Sequence, residues 1–100
     1  MQTNVVNAGG RAVIRLQGRF DFNAHREFRD AIDAALKLDA REVAVDLAGV
    51  DYLDSSALGM LLMLRDKARS LGRAVVLTGS QGAVKQVLDI ANFSKLFSIG

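Results

Sequence analysis

The sequence of 100 residues has no cysteine, no proline and no tryptophan, and its only histidine is His25. Without cysteine the chain can form no disulfide and offers no thiolate to a metal ion, which fits a reducing compartment. Without proline, the turns depend on glycine and on polar residues. These absences exclude a disulfide scaffold and a thiolate metal domain, and they leave ordinary globular chemistry, because half of the residues are hydrophobic.

A large excess of charge of one sign is also missing. The 13 Lys and Arg residues are set against 11 Asp and Glu residues, which gives a formal net charge of +2. The densest basic group, formed by Arg65, Lys67, Arg69 and Arg73, is interrupted by Asp66. Nucleic-acid-binding domains concentrate many positive charges on one face, so we expect no nucleic-acid partner.

Long hydrophobic runs are absent as well. The longest apolar run, from Ala57 to Leu64, includes Gly59 and is far shorter than the roughly 20 residues that cross a bilayer. The N-terminal residues lack the charged start and apolar core of a signal peptide. We therefore expect residues 1–100 to form a single cytoplasmic domain with no membrane partner.

Hydrophobic periodicity predicts five strands and three helices in the order β-β-α-β-α-β-α-β. The first two strands form a hairpin around Ala8, Gly9 and Gly10, and β-α-β crossovers follow. This order is typical of an α/β fold, with a mixed β-sheet of about four to five strands and helices packed on one face. The predicted strands are 4–7, 11–17, 42–47, 74–78 and 95–97, and the predicted helices are 24–38, 55–71 and 83–91.

Further local predictions concern the first two helices and the segments before them. Residues 18–22 are predicted to turn into the first helix, with Asn23 as its N-cap. Residues 48–54 are predicted to form a loop. In the second helix, the buried stripe is predicted to end at Leu71, and Gly59 is expected to permit close helix packing. Leu58, Leu62 and Met63 lie off the stripe, so we expect at least one of them, Met63 first, to be exposed beside Ser55.

The informative segment is Asp54-Ser55-Ser56-Ala57-Leu58-Gly59, which begins the second helix after an apolar strand. Asp and Ser are common N-cap residues, so local chemistry alone favours a capping role for them. A helix N-terminus also favours negative charge, because its first N–H groups are unpaired and its dipole end is positive. A phosphate group on a serine here would therefore be tolerated by the helix.

This segment resembles the phosphorylation motif of the STAS family, the bacterial anti-sigma factor antagonists. In that family an Asp-Ser-Ser/Thr-Gly-Leu-Gly stretch follows an apolar strand and starts a long helix, and Ala57 replaces the first glycine here. Gly18-Arg19-Phe20-Asp21 is similar to a second family feature, a Gly-x-apolar-Asp turn after the second strand. The resemblance extends over nearly the whole chain in the order and spacing of its elements. It implies that Ser55 is a phosphoacceptor and that Asp21 lies nearby and helps a partner kinase.

The resemblance also implies a function. The unphosphorylated protein would bind a switch kinase of the histidine-kinase-like ATPase type, which doubles as an anti-sigma factor. Phosphorylation of Ser55 would abolish binding, and a serine phosphatase would reset the switch. We expect a monomer that requires no cofactor. The expected partner contacts are Asp21, Phe22, Asp54, Ser56, Leu58 and Met63.

Two alternatives remain. Some STAS domains are adaptors in lipid-transport complexes or cytoplasmic parts of anion transporters, without a phosphorylation switch. A hydrolase that used Ser55 as nucleophile would need a nearby base, and His25 is the one histidine available. The sequence has no phosphate-binding loop, and Asp46, Asp51 and Asp54 do not have the spacing of a metal loop, so we expect no catalysis.

Overall fold

The computed structural model describes residues 1–99, which fold into one five-stranded sheet and three α-helices. The order along the sheet follows the order along the chain: the first two strands are antiparallel and every later pair is parallel. The strands are β1 (Gln2–Asn7), β2 (Arg11–Phe20), β3 (Glu42–Leu53), β4 (Ala74–Thr78) and β5 (Ser98–Ile99), and the helices are α1 (His25–Leu36), α2 (Ser55–Ser70) and α3 (Gly82–Ile90).

All three helices cover the same face of the sheet. The connections through α1, α2 and α3 each lead to the next strand in the same direction along the sheet. Because parallel crossovers share one handedness, the three helices lie on one side of the sheet. The strands alternate accordingly: Ile14 and Leu16 are buried, whereas Arg15 and Gln17 are exposed. The predicted mixed α/β sheet with helices on one face is confirmed. Within residues 1–99, no helix has the length and hydrophobicity needed to cross a membrane.

The core lies between the sheet and the helices and is closed near the end of β2 by two aromatic rings. Phe20 and Phe28 are fully buried, and their ring centroids lie 4.8 Å apart. Such contacts add to the hydrophobic stabilisation from burial of each ring. The largest fully buried side chains are Phe20, Phe28, Ile14, Leu16, Ile32, Leu47, Leu61, Leu64, Leu77, Leu88, Val43 and Val45.

The predicted loop at residues 48–54 is wrong, because β3 continues to Leu53. The pairing register between β2 and β3 shifts twice in this region, and each shift places an extra residue in β3. Gly49 lies where the strands approach each other closely: a Cβ atom there would lie 2.8 Å from the Leu16 carbonyl oxygen. The bulges keep Leu47, Val50 and Leu53 buried at a spacing of three residues, where a regular strand would alternate.

The start of the first helix also differs from the prediction. Residues 18–20 belong to β2, and a short 3-10 helix, Phe22–Ala24, precedes α1. Asp21 caps this 3-10 helix, because its carboxylate accepts a hydrogen bond from the Asn23 N–H at 3.0 Å. The N-cap position of α1 itself is Ala24, which makes no side-chain cap, so the prediction that Asn23 is the cap is wrong. The Asp21 cap turns the chain sharply after β2 and leaves Phe22 at the surface.

Three predictions for α2 are corrected. Leu71 follows the helix and is 55% exposed, so it does not end the buried stripe. Leu58, Leu62 and Met63 are all half-buried against the core, so none of the three is the exposed residue that was expected. Gly59 is exposed, and a Cβ atom there would have no neighbour within 4 Å, so it mediates no close packing within residues 1–99. At the end of the chain, β5 is Ser98–Ile99, whereas the strand was predicted at 95–97.

Candidate functional site

The candidate site lies where β2 and β3 end side by side. Phe20 and Leu53 are paired in the parallel register, and the Asp54 N–H donates a hydrogen bond of 3.3 Å to the Phe20 carbonyl oxygen. The chain leaves β2 through Asp21 and leaves β3 into α2 at Ser55. Two segments that are more than thirty residues apart in sequence therefore meet at the C-terminal ends of these neighbouring strands.

Asp54 holds these two segments together with both oxygens of its side chain. Its Oδ1 accepts a hydrogen bond of 3.0 Å from the Ala57 N–H, which caps α2. Its Oδ2 accepts a hydrogen bond of 3.3 Å from the Phe22 N–H. The negative charge also interacts favourably with the positive end of the α2 dipole. Asp54 therefore fixes the position of Phe22 relative to the start of the helix.

Ser55 is the first residue of α2 and is exposed, whereas Ser56 is half-buried. The first N–H groups of a helix have no partner within the helix, so an anionic group can be accommodated here without unwinding. The fold thus presents Ser55 to an approaching protein at the positive end of the α2 dipole. The exposure of this serine is the geometric condition for a phosphoacceptor.

Two aromatic side chains are exposed near the ends of β2 and β3. Phe22 is 71% exposed, and Tyr52, near the end of β3, is 41% exposed. The Arg19 guanidinium carbon lies 4.0 Å from the centroid of the Tyr52 ring, and Arg19 Nε lies 3.5 Å from Asp21 Oδ2. Exposed aromatic side chains with an adjacent arginine are typical of protein interaction surfaces. Sequence reasoning missed Tyr52, because it assigned the residue to a loop.

The structure brings most of the predicted site residues together. Asp54 and Ser56 flank Ser55 in the chain, the Phe22 N–H is hydrogen-bonded to Asp54, and Asp21 directly precedes Phe22 at the end of β2. Leu58 follows within the first turn of α2. Met63 lies eight residues beyond Ser55, or about 12 Å along the helix axis, and is not part of this cluster. Gly59 was not among the predicted contacts, but it lies one turn after Ser55 on an open face.

A catalytic or metal-binding arrangement does not emerge from the described part of the chain. His25 is exposed at the start of α1, and no hydrogen bond joins it to Ser55 among residues 1–99. The same residues contain no group of three or more histidine or carboxylate side chains placed to hold a metal ion. The chemistry that this site offers is an exposed hydroxyl at a helix start with aromatic and acidic neighbours.

Comparisons with known proteins agree with this fold. The family model described as "Mlab, STAS domain" matches residues 3–98. A STAS-domain containing protein of Pseudomonas aeruginosa (strain UCBPP-PA14) is 46% identical over 91 residues, which cover 91% of this chain and 89% of that protein.

Two solved structures share the architecture at low sequence identity. The anti-sigma factor antagonist SpoIIAA in its unphosphorylated form matches with a TM-score of 0.73 and 18% identity, over 99% of this chain and 87% of that one. An anti-sigma factor antagonist from Mycobacterium paratuberculosis matches with a TM-score of 0.81 and 23% identity, over 98% and 83%. With the sheet order and the family match together, the chain belongs to the STAS domain family, and its fold is that of the anti-sigma factor antagonists.

Proposed function

We propose that this protein is a phosphorylation-controlled anti-sigma factor antagonist whose state is set at Ser55. Its unphosphorylated form binds a switch kinase of the histidine-kinase-like ATPase type and releases that kinase's target, and a serine phosphatase restores binding after phosphorylation. The protein acts in the cytoplasm as a monomer and catalyses no reaction itself. The observation that carries the proposal is the exposed Ser55 at the first position of α2, beside the Asp54 cap.

The electrostatics of the site support a switch that needs no refolding. A phosphate group adds about −1.5 to −2 charges at neutral pH. Asp54 directly precedes Ser55, Asp21 directly precedes the Phe22 that is bonded to Asp54, and both carboxylates are already engaged by backbone N–H groups. A partner surface that fits a neutral hydroxyl would have to desolvate the added charge, which costs several kcal/mol. Since about 1.4 kcal/mol is a tenfold change in affinity, this local change is sufficient to abolish binding.

The proposed contact surface, which we call the switch face, consists of Phe22, Tyr52, Ser55, Leu58 and Gly59. Phe22 and Tyr52 offer exposed aromatic area, and Leu58 contributes half-buried apolar surface. At Gly59 no side chain covers the helix backbone, so a partner side chain can approach the backbone closely. Asp54 fixes Phe22 in place, and such preorganisation reduces the entropy lost on binding.

The central experiment treats the purified protein with its cognate switch kinase and ATP and measures intact mass. We expect the wild-type chain to gain the mass of one phosphate group and the Ser55→Ala variant to gain none. Ser70→Ala is the matched control, since Ser70 is exposed on the same helix at its far end, and it should be modified like the wild type. An unmodified wild type, or a Ser55→Ala variant that is still phosphorylated, would refute the proposal.

A second experiment measures kinase binding by the switch face. Ser55→Asp should weaken binding by at least about tenfold, whereas Ser70→Asp adds the same charge far from the site and should not. Gly59→Gln should also weaken binding, because a side chain would fill the open helix surface. Ala34→Gln is its control at an exposed position of α1. Equal binding by both members of either pair would contradict the proposed surface.

The description of the matching family model, "Mlab, STAS domain", favours a second candidate function. Some STAS domains are adaptors in transport complexes, and such a protein could use the same face without phosphorylation. Affinity purification from the native cell distinguishes the two. Recovery of a kinase-like ATPase together with phosphate on Ser55 supports the switch, and recovery of a membrane transporter with unmodified Ser55 supports the adaptor.

A further inference from the structure

A second polar surface lies at the opposite end of α2 from Ser55. It is an open groove of about 410 Å³ between the last part of α2, the start of β4 and the segment before β5. Four basic residues line it: Arg65, Arg69, Arg73 and Lys95. Arg65 is ten residues beyond Ser55, or about 15 Å along the helix axis, so the groove is distinct from the switch face.

Two of the three guanidinium groups are held in place by backbone carbonyl groups. Arg65 Nε donates a hydrogen bond of 2.9 Å to the Leu96 carbonyl oxygen. One terminal nitrogen of Arg73 donates a hydrogen bond of 2.8 Å to the Leu36 carbonyl oxygen. A guanidinium has five N–H donors, so each group keeps further donors for a ligand. Because these side chains are already ordered, a ligand would immobilise them at little additional entropic cost.

The groove carries net positive charge, and few carboxylates lie near enough to neutralise it. None of the described residues that line it is acidic. Within residues 1–99, the ion pair made by a lining residue is that of Arg65 with Asp66, whose Oδ1 lies 3.7 Å from an Arg65 terminal nitrogen and whose side chain is 75% exposed. An exposed pair of this kind is weak and screened by solvent. The surface therefore favours an anionic ligand, although the whole chain has a formal net charge of only +2.

The shape of the groove distinguishes between kinds of anion. Sites for small molecules enclose most of the ligand surface, whereas this groove is open to solvent. Single-stranded nucleic acid binds through exposed aromatic rings, but among the described lining residues the one aromatic residue, Phe97, is 5% exposed. An extended peptide fits better: alternate side chains of an extended chain lie roughly 6.6 Å apart, and Arg65 and Arg69 are about 6 Å apart along the helix axis.

The geometry points to this groove as a docking site for an extended acidic segment of a partner protein, with carboxylate side chains at alternate positions. Arg65 and Arg69 contact successive carboxylates from the α2 side. Lys95 contacts the segment from the opposite wall, and Arg73 contacts its end. The hydroxyl groups of Ser94 and Ser98, which also line the groove, supply further hydrogen bonds. This contact does not depend on the state of Ser55.

The test uses a fluorescein-labelled peptide of alternating Glu and Ser residues, titrated with the full chain and followed by anisotropy. We expect saturable binding at about 50 mM salt that weakens at about 300 mM, because higher salt shortens the screening length. The double variant Arg69→Ala/Lys95→Ala should lose about tenfold or more in affinity, since both charge-assisted contacts are removed. Neither residue makes a side-chain hydrogen bond within residues 1–99 that the fold would lose.

The control variant is Arg29→Ala/Lys85→Ala, which removes the same charge from exposed positions on α1 and α3. It should bind the peptide within about twofold of the wild type, as should Ser55→Asp. Amide shifts in NMR spectra should change at Leu96 and Ser98 on peptide addition. The inference is overturned by an absence of binding, by equal losses in both double variants, or by preferential binding of oligo-dT or inorganic pyrophosphate at the groove.

Discussion

Replacement of Asp54 by alanine tests the central structural feature of the site. The carboxylate accepts hydrogen bonds from the N–H groups of Ala57, at 3.0 Å, and Phe22, at 3.3 Å. Asp54→Ala removes both acceptors and leaves the two donors to water or to no partner. It also removes a negative charge from the positive end of α2. The variant should therefore lose stability at the helix start and at the Phe22 segment together.

The expected magnitude follows from these two contacts. Loss of an N-cap side chain costs about 1 kcal/mol, within a range of about 0.5 to 2. Loss of the second hydrogen bond adds about 1 kcal/mol. The free energy of unfolding should fall by about 2 kcal/mol in total, which corresponds to a decrease of about 1 to 2 M in the urea midpoint of a chain this small.

Urea denaturation followed by circular dichroism measures this change, with two further variants as references. Asp51→Ala removes an exposed carboxylate of β3 and should change stability by less than about 0.5 kcal/mol. Asp54→Asn keeps one acceptor oxygen, which can accept a hydrogen bond from the Ala57 N–H but not also from the Phe22 N–H. Its free energy of unfolding should therefore fall by about 1 kcal/mol. If Asp54→Ala were as stable as Asp51→Ala, the claim that Asp54 joins the two segments would be refuted.

The remaining predictions concern two glycines and one core ring. Gly49→Ala should destabilise the protein by about 1 to 3 kcal/mol, because the new Cβ would lie 2.8 Å from the Leu16 carbonyl oxygen. Gly59→Ala should stabilise it by about 0.5 to 1 kcal/mol, because open space surrounds that position and alanine favours the helix. Phe28→Ala should cost about 3 to 5 kcal/mol, since the ring is fully buried against Phe20. Urea midpoints of the three variants check these values, and the same sign of change for both glycine variants would contradict the backbone argument.

Most of the fold could be predicted, because the strong patterns in the sequence are local and regular. In β2, apolar and polar residues alternate, and the alternation matches the observed burial of Ile14 and Leu16. The start of α2 was correct because Asp54 and Ser55 lie between an apolar strand and an apolar helical stripe. β4 was predicted with its observed bounds, Ala74–Thr78, because a short continuous apolar run is typical of a strand near the middle of a sheet.

The second half of β3 could not be predicted from periodicity. Its buried residues Leu47, Val50 and Leu53 are three apart, which matches neither the period of a strand nor a sustained helix. The spacing arises from two bulges opposite β2, and bulges depend on pairing with a strand that is distant in sequence. Gly49 was the available signal, since a glycine within a strand often indicates a bulge or a close backbone approach.

The candidate site also has one part that the sequence predicts and one part that depends on tertiary packing. Ser55 and Asp54 could be selected as candidates from the sequence because their motif is contiguous. The exposure of Tyr52 and the open space around Gly59 depend on how β3 and α2 pack, so sequence alone gave no reason to select them. The expected exposure of Met63 failed because the apolar surface of α2 is wider than a single stripe, and half-buried side chains on its flanks pack against the same core.

A rigid site constrains how the proposed switch can act. Phe22 is tied to Asp54, Asp54 caps the helix that begins at Ser55, and the Asp54 N–H is bonded to the end of β2. A phosphate group on Ser55 would meet a backbone that is already hydrogen-bonded on both sides, so large movement would require several of these bonds to break at once. Direct repulsion and desolvation at the partner surface require no such movement. The proposed switch therefore predicts that the phosphorylated and unphosphorylated forms share one backbone structure and differ chiefly in what can dock against Phe22 and the start of α2.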